Sequence, residues 1–140
     1  MTAPAPVVLD TNILLDLFVF ADPRVEALQR ALDAGALRWL STAVMREELR
    51  RVLDYPQLQP RMAAAGLTPA HVLASFDQRA TLCEPAPKAP FTCKDADDQK
   101  FIDLAVAHQA RLFSKDKAVL CMAKRLWTLG VLVARGDAAA

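Results

Sequence analysis

Short apolar runs alternate with longer segments of helical period along the 140 residues of the chain. The runs at 7–9, 37–40, 80–83, 110–113 and 131–134 read as strands, and their near-continuous hydrophobicity marks most of them as buried on both faces. Between them, apolar positions recur every three or four residues over 12–20, 23–34, 42–53, 57–65, 69–80, 96–109 and 117–128, which predicts helices there. Gly35, Gly66 and Gly130 fall just past these segments, where a left-handed cap is needed. Pro23 and Pro69 sit near helix starts, where a missing N–H costs little. Strands alternating with helices predict a parallel sheet covered on both faces. The stretch 83–94, with Pro85, Pro87 and Pro90, reads as a surface connection.

Composition narrows this picture more than it changes it. The length suits one domain that buries about two-thirds of its unfolded surface. Hydrophobic residues make up 54% and charged residues 24%, enough for a well-filled core. A net charge of +1 does not advertise a nucleic-acid partner, so such a partner has to be argued from local chemistry. Cys83, Cys93 and Cys121 form no C-x-x-C pair, which speaks against a zinc site and a disulfide framework. "MTAPAP" lacks a basic segment and Asp16 interrupts the next apolar run, so no signal peptide is expected. No stretch reaches the ~20 apolar residues of a membrane span. A soluble, cytoplasmic protein with reduced thiols is expected. Neither a P-loop nor a G-x-G-x-x-G turn is present, so no nucleotide cofactor is expected.

The candidate chemistry begins at "VVLDTN", Val7 to Asn12, where a buried run ends on Asp10 and two further polar residues before the core resumes. In an open α/β sheet, ligands bind beyond the carboxyl ends of the strands. Asp10 ends the first strand, and "SKD" places Asp116 just after the strand at 110–113. Both acids, like Thr11 and Asn12, also suit helix N-caps. The helices add weight to the site reading. At about 100° per residue, Glu48 lies about 60° from the centre of the face formed by Val44, Met45, Leu49, Val52 and Leu53. Glu47 lies nearly opposite, with Arg50 and Arg51, as part of an ion-paired surface. In the segment 97–110, Phe101, Ile102, Ala105 and Val106 centre the apolar face over Asp98, while Asp103 points away and Asp97 lies to one side. A first-turn acid is favoured by the helix dipole, which explains its tolerance but not its inward aim. Asp10, Glu48, Asp98 and Asp116 thus converge on one pocket. Two charges 4 Å apart repel by ~4 kcal/mol at an effective dielectric of 20, and a hard divalent cation relieves that. Mg²⁺ or Mn²⁺ in such a site suits phosphodiester hydrolysis.

"VVLDTN", "STAVMREELRRVL", "DADDQKFIDLA" and "LFSKD" stand in the order and spacing of PIN-domain ribonucleases, which the chain resembles from about Val7 to Ala134. The nearest likeness is to the VapC-like toxins of type II toxin–antitoxin systems. The resemblance implies a three-layer α/β/α sandwich around a central parallel sheet of five strands. It also implies Mg²⁺- or Mn²⁺-dependent endonucleolytic cleavage of RNA, a homodimer, and a small antitoxin whose C-terminal segment occupies the active-site groove. Carried over by position, the catalytic and metal-binding acids are Asp10, Glu48, Asp98 and Asp116. Asn12, Ser114 and Thr11 stand as supporting polar residues. Ser41, at the start of the Glu48 helix, supports the site or caps that helix. Ser114 replaces the usual Thr and keeps the hydroxyl. Lys115 and Lys117 either attract phosphate or belong to the solvated surface. Arg46, Arg50 and Arg51 offer RNA contacts or a solvated helix face. Asp16 is expected at the solvent, His71 and His108 as structural residues, and Phe18, Phe20, Trp39 and Trp127 in a core or interface. The expected organisation is a flexible N-terminus over 1–6, one domain over 7–135 and a C-terminal tail over 136–140. A catalytically inactive RNA-binding module and a housekeeping RNA-processing nuclease are the alternatives. An aspartyl-phosphate enzyme fits poorly, because Thr11 and Asn12 follow Asp10 where a second acid is wanted.

Overall fold

The computed structural model describes residues 3–136. The apolar runs form β1 (Ala5–Leu9), β2 (Leu37–Ser41), β3 (Thr81–Leu82), β4 (Arg111–Phe113) and β5 (Val133–Ala134). They make one sheet of order β3-β2-β1-β4-β5 in which every pairing is parallel. β1 starts at Ala5, inside the segment expected to be a flexible N-terminus, because Ala5 pairs with Leu37. Met1, Thr2 and 137–140 lie outside the described residues. The edge strands also depart from expectation. β3 is exposed and β5 half-buried, each only two residues long, as befits strands at unpaired sheet edges.

The helices are α1 (Thr11–Phe18), α2 (Glu26–Asp33), α3 (Ala43–Leu53), α4 (Gln59–Ala64), α5 (Pro69–Arg79), α6 (Gln99–His108), α7 (Lys117–Leu120) and α8 (Ala123–Trp127). The single helix expected over 117–128 is therefore two short ones, broken at Cys121 and Met122. Gly35, Gly66 and Gly130 take positive φ at helix ends.

Strand residues alternate between two cores, as a period of two requires. Val7, Leu9, Trp39 and Phe113 pack with Ile13, Leu28, Leu49 and Phe76 of the first five helices. Val8, Leu40 and Leu112 pack with Phe101, Ile102, Val119 and Leu126 of the last three. Trp39 anchors the first core, edge-on to Phe76 at 5.0 Å and stacked on Phe18 at 5.9 Å. The result is an α/β/α sandwich. From β1 the chain steps outward to β2 and β3, then returns to place β4 on the other side of β1. The strand order therefore reverses between β1 and β4, and a crevice opens beyond their carboxyl ends. Among the described residues, no helix is long and apolar enough to cross a membrane.

Candidate active site

Asp10 follows β1 directly. Its backbone N–H donates to the Phe113 carbonyl at 3.0 Å, so the β1–β4 pairing reaches the acid itself. It occupies the N-cap position of α1, yet its side chain makes no capping bond. Oδ2 instead accepts from Ser114 Oγ at 2.6 Å, and the residue is 4% exposed. Ser114 also accepts from the Asp116 N–H at 3.0 Å, so one buried hydroxyl ties the two strand-end acids together. Asp116 does cap its helix, accepting from the Ala118 N–H at 2.9 Å.

Asp98 closes a 3-10 turn (Ala96–Asp98) that leads into α6, and it too makes no capping bond. Burial, followed by the neighbouring Asp116, Asp10 and Asp95, pushes its carboxyl up to about 8. Burial likewise raises Asp10, against the lowering effect of Ser114 and the Thr11 backbone; Glu48 and Asp116 raise it further. Oxygens of Asp95, Asp98 and Asp116 lie within 4.8 Å of one another. Among the described residues, Asn12 Oδ1 and Asp98 Oδ2 are buried without a hydrogen-bond partner. Both are acceptors, and both belong to the predicted site. An unpaired buried carboxylate oxygen amid like charges is costly, and a hard cation satisfies it. The all-oxygen donor set of Asp95, Asp98 and Asp116, with Asp10 alongside, fits Mg²⁺ or Mn²⁺.

Glu48 reaches the same crevice from α3, but with both oxygens engaged. Oε2 accepts from the Thr11 hydroxyl, and Oε1 pairs with Lys100 Nζ at 2.7 Å. Glu47 faces away and pairs with Arg50 at 2.6 Å, as the helix phase requires. Glu48 and Lys100 line a groove of about 290 Å³ between α3 and the start of α6, together with Val44, Arg51, Tyr55 and Asp97.

Several sequence expectations need correction. Thr42, not Ser41, caps α3 by accepting from the Met45 N–H. Ser41 is buried at the end of β2, with its hydroxyl on Met45 Sδ at 3.5 Å, so it neither caps nor supports the acids. Asp16 is buried rather than exposed, because the loop after β4 folds back over α1 and Lys115 Nζ meets it at 2.7 Å. Lys115 is thus engaged by Asp16, while Lys117 is exposed. Arg46 forms a bidentate pair with Asp77 of α5, and Arg50 pairs with Glu47 and Asp54, which makes that face an ion-paired surface. Asp103 points away from the acids but accepts from the Ala89 N–H, pinning the proline-rich connection. His71 and His108 are exposed, and so is Trp127 at 66%.

Two residues of the crevice escaped the sequence reading, Asp95 and Lys100. Asp95 precedes the helix expected over 96–109 and is the extended cap of the 3-10 turn, so a projection begun inside the helix leaves it out. Lys100 gave no signal. Its backbone lies about 200° from Asp98 on a helix, and only its long flexible stem carries the ammonium to Glu48.

The family model described as PIN domain matches residues 6–117, a span that contains every acid of the crevice. No curated protein matches the chain.

Proposed function

This chain belongs to the PIN-domain family, whose fold is that of a nuclease, and we propose that it is a divalent-metal-dependent endoribonuclease. The supporting observation is Asp98, a buried carboxyl with one unpartnered oxygen, crowded by Asp10, Asp116 and Asp95. A binding module gains nothing from that crowding. Asp10, Asp98 and Asp116, with Asp95, would hold Mg²⁺ or Mn²⁺, and Glu48 borders them. When bound, the ion supplies positive charge against the phosphodiester and acidifies water. The remaining work falls to this chain. Ser114 fixes the rotamer of Asp10 and, through the Asp116 N–H, the distance between the two strands' acids. Leu9 and Phe113, the last residues of β1 and β4, are buried and anchor the strand ends that carry Asp10 and Ser114.

The biological role we propose is that of the toxin in a type II toxin–antitoxin pair, acting as a homodimer and inhibited by a small antitoxin. That reading rests on the resemblance in the four acidic blocks. A reading frame for a small DNA-binding protein beside this one would support it. For the chemistry, purified protein should cleave RNA only with Mg²⁺ or Mn²⁺, and Asp10→Asn or Asp98→Asn should abolish cleavage. Undiminished cleavage in excess chelator would overturn the mechanism.

A further inference from the structure

Lys100 stands among the acids where no cation was expected. Its side chain is 25% exposed and that of Glu48 is 28% exposed, so the pair is more sheltered than the ion pairs of the α3 surface. Nζ donates to Glu48 Oε1 at 2.7 Å and to the Asp97 carbonyl, and it lies 4.9 Å from the centre of the Phe101 ring. An ammonium has three N–H groups. Two are used, which leaves one for a further acceptor in the groove that Lys100 lines.

Each oxygen of Glu48 accepts one hydrogen bond, from Thr11 and from Lys100, and the ammonium already balances the charge that would draw a second cation. The carboxylates that approach one another closely are Asp95, Asp98 and Asp116, a set suited to one ion. A two-metal centre places its ions ~3.5–4 Å apart and needs carboxylates for both. On the α3 side, Glu48 is the acid positioned to serve the second, and its charge already has a partner.

We propose that Lys100 takes the place of a second metal ion: its ammonium neutralises Glu48 and hydrogen-bonds a phosphate oxygen of the RNA lying in the groove between α3 and α6. The inference rests on the nuclease reading, and Glu48 becomes under it a positioning residue rather than a ligand. Only one divalent ion is then bound per chain.

Calorimetric titration of the metal-free full chain with Mn²⁺ tests this without RNA. The wild type should bind one ion. Lys100→Met, which replaces the ammonium by an uncharged side chain of similar length and frees Glu48, should bind two. Glu48→Gln and Lys100→Arg should each still bind one. Cleavage by Lys100→Met should fall about a hundredfold at low Mn²⁺, and raised Mn²⁺ should recover much of it as the second ion substitutes for the ammonium. Two ions on the wild type, one ion on a folded Lys100→Met, or loss of the ion in Glu48→Gln each overturn the proposal. If Lys100→Met fails to fold, the counts for the wild type and Glu48→Gln decide it. No Mn²⁺ on the wild type would instead overturn the metal-dependent nuclease reading itself.

Discussion

Asp98, the buried carboxyl of the proposed site, carries a cost in stability. Its ordinary value is 3.8, and burial with its acidic neighbours raises it to about 8 in the folded protein. A folded value above the unfolded one means that folding retains a proton across that interval. The associated stability is fully present below about pH 4 and is lost as pH rises toward about 8. Asp10, also raised by burial, acts in the same direction. The melting temperature of the metal-free protein should therefore fall between about pH 5 and pH 8, and Asp98→Asn should flatten much of that slope. Saturating Mg²⁺ should raise the melting temperature most at the alkaline end, where the carboxylates it binds are ionised. A slope unchanged in Asp98→Asn would show that other groups govern it. The adjacent glutamates of α3 give a second test at this scale. Glu47→Gln removes one partner of exposed Arg50 and should leave both the melting midpoint and cleavage nearly unchanged. Glu48→Gln withdraws the carboxylate that holds Lys100, so cleavage should collapse. Cleavage rates of the two variants, measured side by side, read the phase of the helix directly.

Among the elements, what periodicity encodes was legible and what end geometry encodes was not. The buried strands and the inward aim of Glu48 and Asp98 followed from spacing, since apolar faces are repeated many times along the chain. Ser41 and Thr42 are adjacent hydroxyls, and one residue's difference in strand length decides which of them caps α3. Pattern alone cannot choose. Asp95 stands one residue before the helical stretch, as an extended cap that no periodicity covers, and the break at Cys121 and Met122 falls within an apolar stretch that keeps its period. The glycine caps were legible because only a residue without Cβ takes such a φ cheaply. They also differ in a measurable way. Gly35, at φ +73°, has nothing within 4 Å of a built Cβ, so Gly35→Ala should cost about 1 kcal/mol of backbone strain alone. At Gly130, φ is +81° and the same atom would meet the mobile end of Gln109, Nε2 at 2.9 Å, which can swing aside only by giving up its bond to the Leu129 carbonyl, so Gly130→Ala should cost slightly more. Urea unfolding of the two variants should rank them in that order.

For the whole molecule, the proposed homodimer predicts a solution mass twice that of the 15.3 kDa chain. Light scattering that returned the single-chain mass across a wide concentration range would remove it. A deeper property follows from the order in which the strands are laid down. The bond between Ser114 and Asp10 joins positions 104 apart, and it closes across the one place where the sheet reverses direction. Chains fold from the N-terminus as they are synthesised. While the ribosome works through β1, β2 and β3, the growing polypeptide can pair strands and assemble most of its first core, still without Phe113, but it has neither Asp98 nor Asp116. Its centre exists only after translation has passed residue 116. If the chain is the ribonuclease proposed above, this order of assembly would spare its own messenger for most of the time that the message is being read.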